Sequence, residues 1–278
     1  MIDLVSSKTI KSTARTNLRG NWSQACVVAI VLLSAVFVSL LLGELVIGVF
    51  KSVVFGTKGE YSLIGFFVAL AVSMCTFVLS LPVIQGVIRW FWALIIDSEL
   101  PLSELFYYYS SPKLFSKTLM LYVRVIVRYI VTAVICFAPS VAIWLAGENA
   151  LQKLREYANA LPLFSVKPIA VFFAVIGLIF FLKFAFKTSF SMVLIVIDER
   201  LDYIDAILLS KKICAKKRFL SVYIFLSYFG WLLVSLLGIT MLYTLPFMLC
   251  SYVVSARFAI TNYRIENKIT DMDFIVKN

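Results

Sequence analysis

Residues 25–48 read ACVVAIVLLSAVFVSLLLGELVIG, a run of 24 residues broken by the single charge of Glu44. As an α-helix rising 1.5 Å per residue it is about 36 Å long, enough to cross roughly 30 Å of hydrocarbon. Five more apolar runs follow at about 61–81, 129–146, 168–186, 219–238 and 241–258, each with at least 18 residues. Together they divide the chain into seven connecting segments.

Arginine and lysine are sorted by these runs. With the N-terminus on the inside, 21 of the 26 basic residues fall on that side, all but Lys51, Lys58, Lys153, Arg155 and Lys167. The bias holds at every crossing, as the positive-inside rule requires. The composition agrees: 62% hydrophobic and 15% charged, against about half apolar and a quarter charged in soluble chains. A water-soluble bundle fails because six fully apolar helices leave almost no polar face. The expected fold is all-α, a polytopic integral membrane protein with six transmembrane helices and both termini cytoplasmic. Its parts are an N-terminal amphipathic helix at 1–23, a membrane domain at 24–260 and a cytoplasmic tail at 261–278.

Residues 1–23 are too long and polar for the n-region of a signal peptide, and no small-residue cleavage site follows, so the first span is expected to stay as an anchor. Lys8, Lys11, Arg15 and Arg19 form one basic stripe, with Ile10, Ala14 and Leu18 on the flank away from it. That pattern predicts a helix lying in the interface before the first span. Segments 98–117 and 199–218 align at a shift of 101, pairing Asp97 with Asp198, Leu100 with Leu201, Glu104 with Asp205 and Lys117 with Arg218. The alignment reads as a weak internal repeat of surface helix, outward span and inward span. Acids early and bases late also suit the dipole of any interfacial helix, so the pattern has two sources. In the outer loop, Leu151, Leu154, Ala158 and Leu161 form an apolar stripe that predicts a short surface helix.

Two runs are longer than a span needs. Residues 61–96 and 168–197 would extend about 54 and 45 Å as unbroken helix. Pro82 can end or kink the first, and Lys183 and Lys187 mark a similar depth in the second. The tails 83–96 and 188–197 are therefore expected beyond the bilayer core, covering each other and the basic surface helices.

Placing Arg124, Arg128, Lys183 or Lys187 at mid-bilayer would cost about 2.5–3.5 kcal/mol each. The run 129–146 supplies a full span without the two arginines, and the lysines have long stems, so all four are expected at the inner interface. They join Lys8, Lys11, Arg15 and Arg19 as contacts for lipid headgroups or small anions. Glu44 is the one acid inside a span, a candidate intramembrane polar site or a marker of the span's outer end. Gly230, Trp231, Gly238 and Pro246 are read as helix-packing positions.

Chemical motifs are missing. The chain has no histidine, and its five cysteines (Cys26, Cys75, Cys136, Cys214 and Cys250) stand singly. Histidine-ligated metal is thereby excluded, and neither a disulfide framework nor a cofactor is indicated. There is no phosphate-binding glycine loop, zinc-protease motif or nucleophile elbow. The acids Asp198, Glu199, Asp202 and Asp205 have the spacing of a solvated helix face. The net charge of +11 lies beside the spans, where it meets anionic inner-leaflet lipid and not nucleic acid.

The ends of the chain resemble a known family. Residues 8–23, KTIKSTARTNLRGNWS, carry a Lys, the pair Ala14-Arg15, and Leu18-Arg19-Gly20-Asn21-Trp22. Residues 208–258 carry Ser210-Lys211, Leu226-Ser227-Tyr228-Phe229-Gly230-Trp231, Gly238, Pro246, Ala256 and Phe258. These features, about a quarter of the chain, are similar to the bacterial membrane family labelled domain of unknown function 975. Ile213, Cys214 and Ala215 stand where that family has a Met and a Gly, and Lys183-Phe184-Ala185-Phe186-Lys187 occupies the region of its Pro-Gly step. The resemblance implies a multi-pass protein of the bacterial cytoplasmic membrane and carries no activity with it.

Three function classes are left. The first is a non-enzymatic scaffold or regulator that meets lipid, a protein partner or a second copy of itself through the basic helices. The second is a transporter or channel for a small solute, anions included, with Arg124, Arg128, Lys183 and Lys187 around an inner cavity. A lipid-modifying enzyme comes third, for want of a nucleophile–base pair.

Overall fold

Helix is the only regular structure among the described residues. The computed structural model describes residues 7–54, 63–96, 101–157, 167–216, 227–228, 230 and 240–267. In chain order the helices are α1 (Ser7–Leu18), α2 (Trp22–Val54), α3 (Leu63–Ile95), α4 (Pro112–Tyr157), α5 (Lys167–Ala185), α6 (Ser191–Ile197), α7 (Tyr203–Lys216) and α8 (Met241–Glu266). Two 3-10 segments, Leu102–Tyr109 and Phe186–Thr188, join α3 to α4 and α5 to α6.

Among the described residues, five stretches are long and apolar enough to cross a membrane: Trp22–Val46, Leu70–Ile95, Pro112–Gly147, Lys167–Ile197 and Met241–Glu266. The chain is an all-α polytopic membrane protein. Of the sixth expected run, 219–238, only residues 227, 228 and 230 are described, so Trp231 and Gly238 lie outside the described residues.

Burial divides the bundle into two ends. Toward the far end the helices turn large apolar side chains outward, with Leu40, Ile135 and Phe172 62%, 67% and 62% exposed. Such a surface needs lipid as its solvent, and helices can present it because their backbone groups are paired internally. The core lies at the opposite, basic end. There Ile10, Ala14 and Leu18 of α1 join Val87 and Phe91 of α3, Val193 and Leu194 of α6, Ala206 of α7 and Cys250, Val253 and Ala256 of α8.

The apolar flank of α1 is the one expected from the sequence, but its partner is protein. Ile10, Ala14 and Leu18 are fully buried, α1 packs on α8, and the Cys250 thiol donates to the Ala14 carbonyl at 3.7 Å. An apolar face seated on α8 is not available to lipid; Lys8, Arg15 and Arg19 remain exposed. Gly20 follows α1 at φ 93°, the left-handed conformation that lets a helix stop and the chain reverse. The Asn21 amide then bonds the Leu18 carbonyl at 3.0 Å, and α2 starts at Trp22.

The two long runs behave differently. α3 continues through Pro82 for 33 residues, about 50 Å, so proline does not end it. The other run breaks after Ala185 and resumes as α6. Both tails are buried and meet, the Gln85 amide donating to the Met192 carbonyl at 2.7 Å and accepting from Tyr122 at 3.2 Å.

Three boundaries differ from the sequence reading. The outer helix expected around 151–161 is the end of α4, which runs unbroken to Tyr157; residues 158–166 lie outside the described residues. Within segment 98–117, Leu102–Tyr109 folds as a 3-10 turn and α4 starts at Pro112, while in its repeat partner Tyr203–Lys216 forms the α-helix α7. α8 continues past position 260 to Glu266.

Gly86 sets the approach of the first 3-10 segment to α3. A Cβ at this position would lie 1.9 Å from the Leu105 carbonyl oxygen, and backbone cannot yield as a flexible side chain does. Gly86→Ala should therefore cost about 1–3 kcal/mol in detergent unfolding, whereas Gly48→Ala, with nothing within 4 Å, should be neutral or stabilising. Equal stability of the two variants would show that the contact is not tight.

Candidate functional site

A helix that stops inside a membrane protein exposes carbonyls that lipid cannot hydrate. Between α5 and α6 this happens at Ala185–Ser189, and side chains from three other helices reach in. Tyr129 of α4 donates to the Ala185 carbonyl at 3.1 Å. Ser210 of α7 donates to the Lys187 carbonyl at 2.9 Å, and Cys214 of the same helix to Phe186 at 3.6 Å. Tyr252 of α8 donates to the Ser189 carbonyl. Local hydroxyls complete the set: Ser191 donates to Thr188 at 2.6 Å and Ser189 to Phe186 at 2.9 Å. Burial pushes the Cys214 thiol up to about 12, so it stays protonated as a donor.

The break opens a cavity of about 440 Å³, lined by Arg128 and Thr132 of α4, Phe184 of α5, Lys187 and Thr188 of the break, and Lys211 and Ala215 of α7. Three cations from three elements thus converge. Arg128 Nη1 is shielded from solvent and has no hydrogen-bond partner among the described residues. Lys187 lies over the Phe184 ring at 4.6 Å. Burial, with the charges of Arg128 and Lys187, pushes the Lys211 ammonium below its usual range. The ion pairs that Arg89 makes with Glu104 and Glu199 lie outside this cavity, and no carboxylate is among its described lining residues.

The other expected contacts are dispersed. Arg124 is exposed and sits 5.0 Å from the Tyr203 ring, while Lys183 is 6.0 Å from the Phe180 ring; neither lines the cavity. Lys11 turns inward, donating to the Ser227 carbonyl at 3.1 Å above the Tyr228 ring, which takes it from the headgroup stripe. Glu44 is exposed near the end of its apolar span, Trp22–Val46. Gly230 is exposed and a Cβ there meets nothing within 4 Å, so close helix approach is not its role among the described residues. That role falls to Gly86 and to Gly177, where a Cβ would lie 2.5 Å from the Cys136 carbonyl oxygen. Pro246 is buried within α8.

A second polar cluster ties the hairpins together. Arg89 of α3 bonds Glu199 at 2.5 Å, approaches Glu104 at 3.5 Å and stacks 3.8 Å over the Tyr107 ring. Tyr107 donates to the same Glu199 carboxylate at 3.0 Å, and Lys117 of α4 donates to the Glu199 carbonyl. Burial, then the bond to Glu199, pushes the Tyr107 hydroxyl above its usual range. Asp198 accepts from the Arg200 amide at 2.9 Å as a turn residue. The acids read as a solvated face therefore include a structural anchor.

Reading the sequence missed Lys211, Arg89 and the tyrosine donors. Arg89 had a signal, being the one cation in the apolar run 61–96. Lys211 and the tyrosines had none, because their partners lie on distant segments. Comparison with protein-family models, curated proteins and solved structures finds no match for this chain.

Replacing Tyr252 by Phe keeps the ring and strands the Ser189 carbonyl, which should cost about 1–3 kcal/mol in detergent unfolding. Tyr203, half-buried with its ring 5.0 Å from the Arg124 guanidinium, should tolerate the same change. Equal losses at the two positions would mean that the hydroxyl at 252 holds nothing.

Proposed function

We propose that this chain is a non-enzymatic membrane protein whose basic helical face organises anionic lipid and the partners that gather on it. The carrying observation is the single core that unites α1, α6 and α7 with the ends of the spans. Such a core makes the basic end a rigid platform with Lys8, Arg15 and Arg19 on its exposed side. The carboxylates that stand closest in sequence support a non-catalytic role, because Glu199 is held by Arg89 and Tyr107 and Asp198 closes a turn.

Orientation belongs to the same reading. On this reading the sorting of the basic residues favours the cytoplasmic side for the platform and both termini, and the family resemblance adds a bacterial membrane. Membership of the family labelled domain of unknown function 975 also belongs to it, on the residues quoted from 8–23 and 208–258. Transport of a small anion is the second reading, supported by Arg128 and Lys187 facing one cavity. Its lining along α4 extends no deeper than Thr132, which favours a binding recess over a route.

The experiment uses spin-labelled lipids around the reconstituted protein. Wild type should immobilise phosphatidylglycerol in preference to phosphatidylcholine, and Lys8→Gln, Arg15→Gln and Arg19→Gln together should reduce that preference severalfold, since each exposed cation contributes on the order of 1 kcal/mol at an anionic surface. An unchanged preference contradicts the platform reading. Green fluorescent protein fused after Asn278 should fluoresce; alkaline phosphatase activity at that position would reverse the orientation.

A further inference from the structure

We propose that the cavity between α4, the helix break and α7 binds a phosphate group, and that its occupant is the headgroup of an anionic phospholipid. This deepens the platform reading and rests on it for the source of the ligand.

The charge pattern selects an anion. Arg128, Lys187 and Lys211 come from positions far apart in sequence and face one space without a described carboxylate among them. Like charges held together in a half-buried recess repel, and a bound anion is what relieves that cost. Burial lowers the Lys211 ammonium, and the charges of Arg128 and Lys187 lower it further. Arg128 Nη1 adds a specific demand, for a shielded cationic N–H without an acceptor is among the most expensive donors to leave unmet.

Phosphate suits the donors present. Guanidinium supplies a planar fork and ammonium a compact charge, the two groups that most often hold phosphate. The hydroxyls in the wall are already committed as donors, Thr132 to the Arg128 carbonyl at 2.8 Å and Thr188 to the Ala185 carbonyl at 3.1 Å. Recognition therefore falls to the cations, and a neutral polar ligand would find few free donors.

Depth and walls point to lipid. Arg128 immediately precedes the apolar run 129–146, and Lys187 follows α5, so the recess lies where spans meet headgroups. Phe184 lines it and is exposed, beside the exposed Phe180 and Val131. A headgroup can enter from the side while its acyl chains stay on this apolar wall. A volume of about 440 Å³ is toward the small end of the roughly 300–1,000 Å³ of ligand sites, matching a headgroup without its chains.

The test compares wild type with two variants in nanodiscs of equimolar phosphatidylcholine and phosphatidylglycerol, read by native mass spectrometry of retained lipid. One variant carries R128Q, K187Q and K211Q. The other is A215E, which keeps all three cations and sets a carboxylate in the wall at an exposed position, one helical turn from Lys211. Wild type should retain a phosphatidylglycerol molecule that both variants lose by about tenfold or more, the worth of charge-assisted bonds to one anion. If the triple variant does not fold, A215E decides alone. Calorimetry with inorganic phosphate in pure phosphatidylcholine nanodiscs separates the sources. Heat absent from A215E, with no lipid difference, would keep the phosphate site and overturn its lipid occupant. Lipid retention and phosphate heats both unchanged in A215E overturn the proposal. If the α1 variants still lose lipid preference in that case, only the cavity fails; if they do not, the platform reading fails with it.

Discussion

Between Ala185 and Ser191 the chain interrupts an apolar helix inside the packed basic end, and α4, α7 and α8 are placed to answer that interruption. Five successive carbonyls need donors, and lipid has none to give. Tyr129, Ser210, Cys214 and Tyr252 supply four of them from α4, α7 and α8, and Ser191 of α6 bonds the fifth, that of Thr188. Satisfying these groups requires the three helices to be in fixed register with the break. A backbone defect thus becomes the point on which the bundle is organised.

The cavity follows from the same geometry. Turning the chain after α5 carries Lys187 to the edge of α4 and α7, beside Arg128 and Lys211. The second polar cluster, around Glu199, fixes the other end of α6 to α3 and α4 through Arg89, Tyr107 and Lys117. α6 is consequently pinned at both termini and buried along its length. The far half of the bundle has no comparable polar set among the described residues, and its exposed apolar surface is suited to lipid alone.

Much of this order could be read from the sequence, for a physical reason. Span length, the apolar stripe of α1 and the surplus length of the runs 61–96 and 168–197 depend on local composition and spacing, which the chain displays directly. What packs on a stripe does not. An apolar flank such as Ile10, Ala14 and Leu18 suits lipid and protein alike, and only the fold shows that α8 covers it. Charges mislead in the other direction: Lys11 shares the basic stripe yet bonds the Ser227 carbonyl, and Glu199 looks solvated yet binds Arg89. The cavity needed Lys211, which lies 83 positions from Arg128, and no spacing rule spans that distance. The continuity of α4 was hidden because the acids and bases of 148–157 set the outer helix apart from the apolar run, although they are sound helix formers.

Hydrogen–deuterium exchange in lipid nanodiscs, resolved across residues 185–197, tests the organising role of the break most directly. A break locked by donors from three helices should exchange as slowly as the buried end of α3, residues 83–95. Exchange there at the rate of an exposed loop, with α3 protected, would mean that the interruption is not held and that the register of the basic end has another cause.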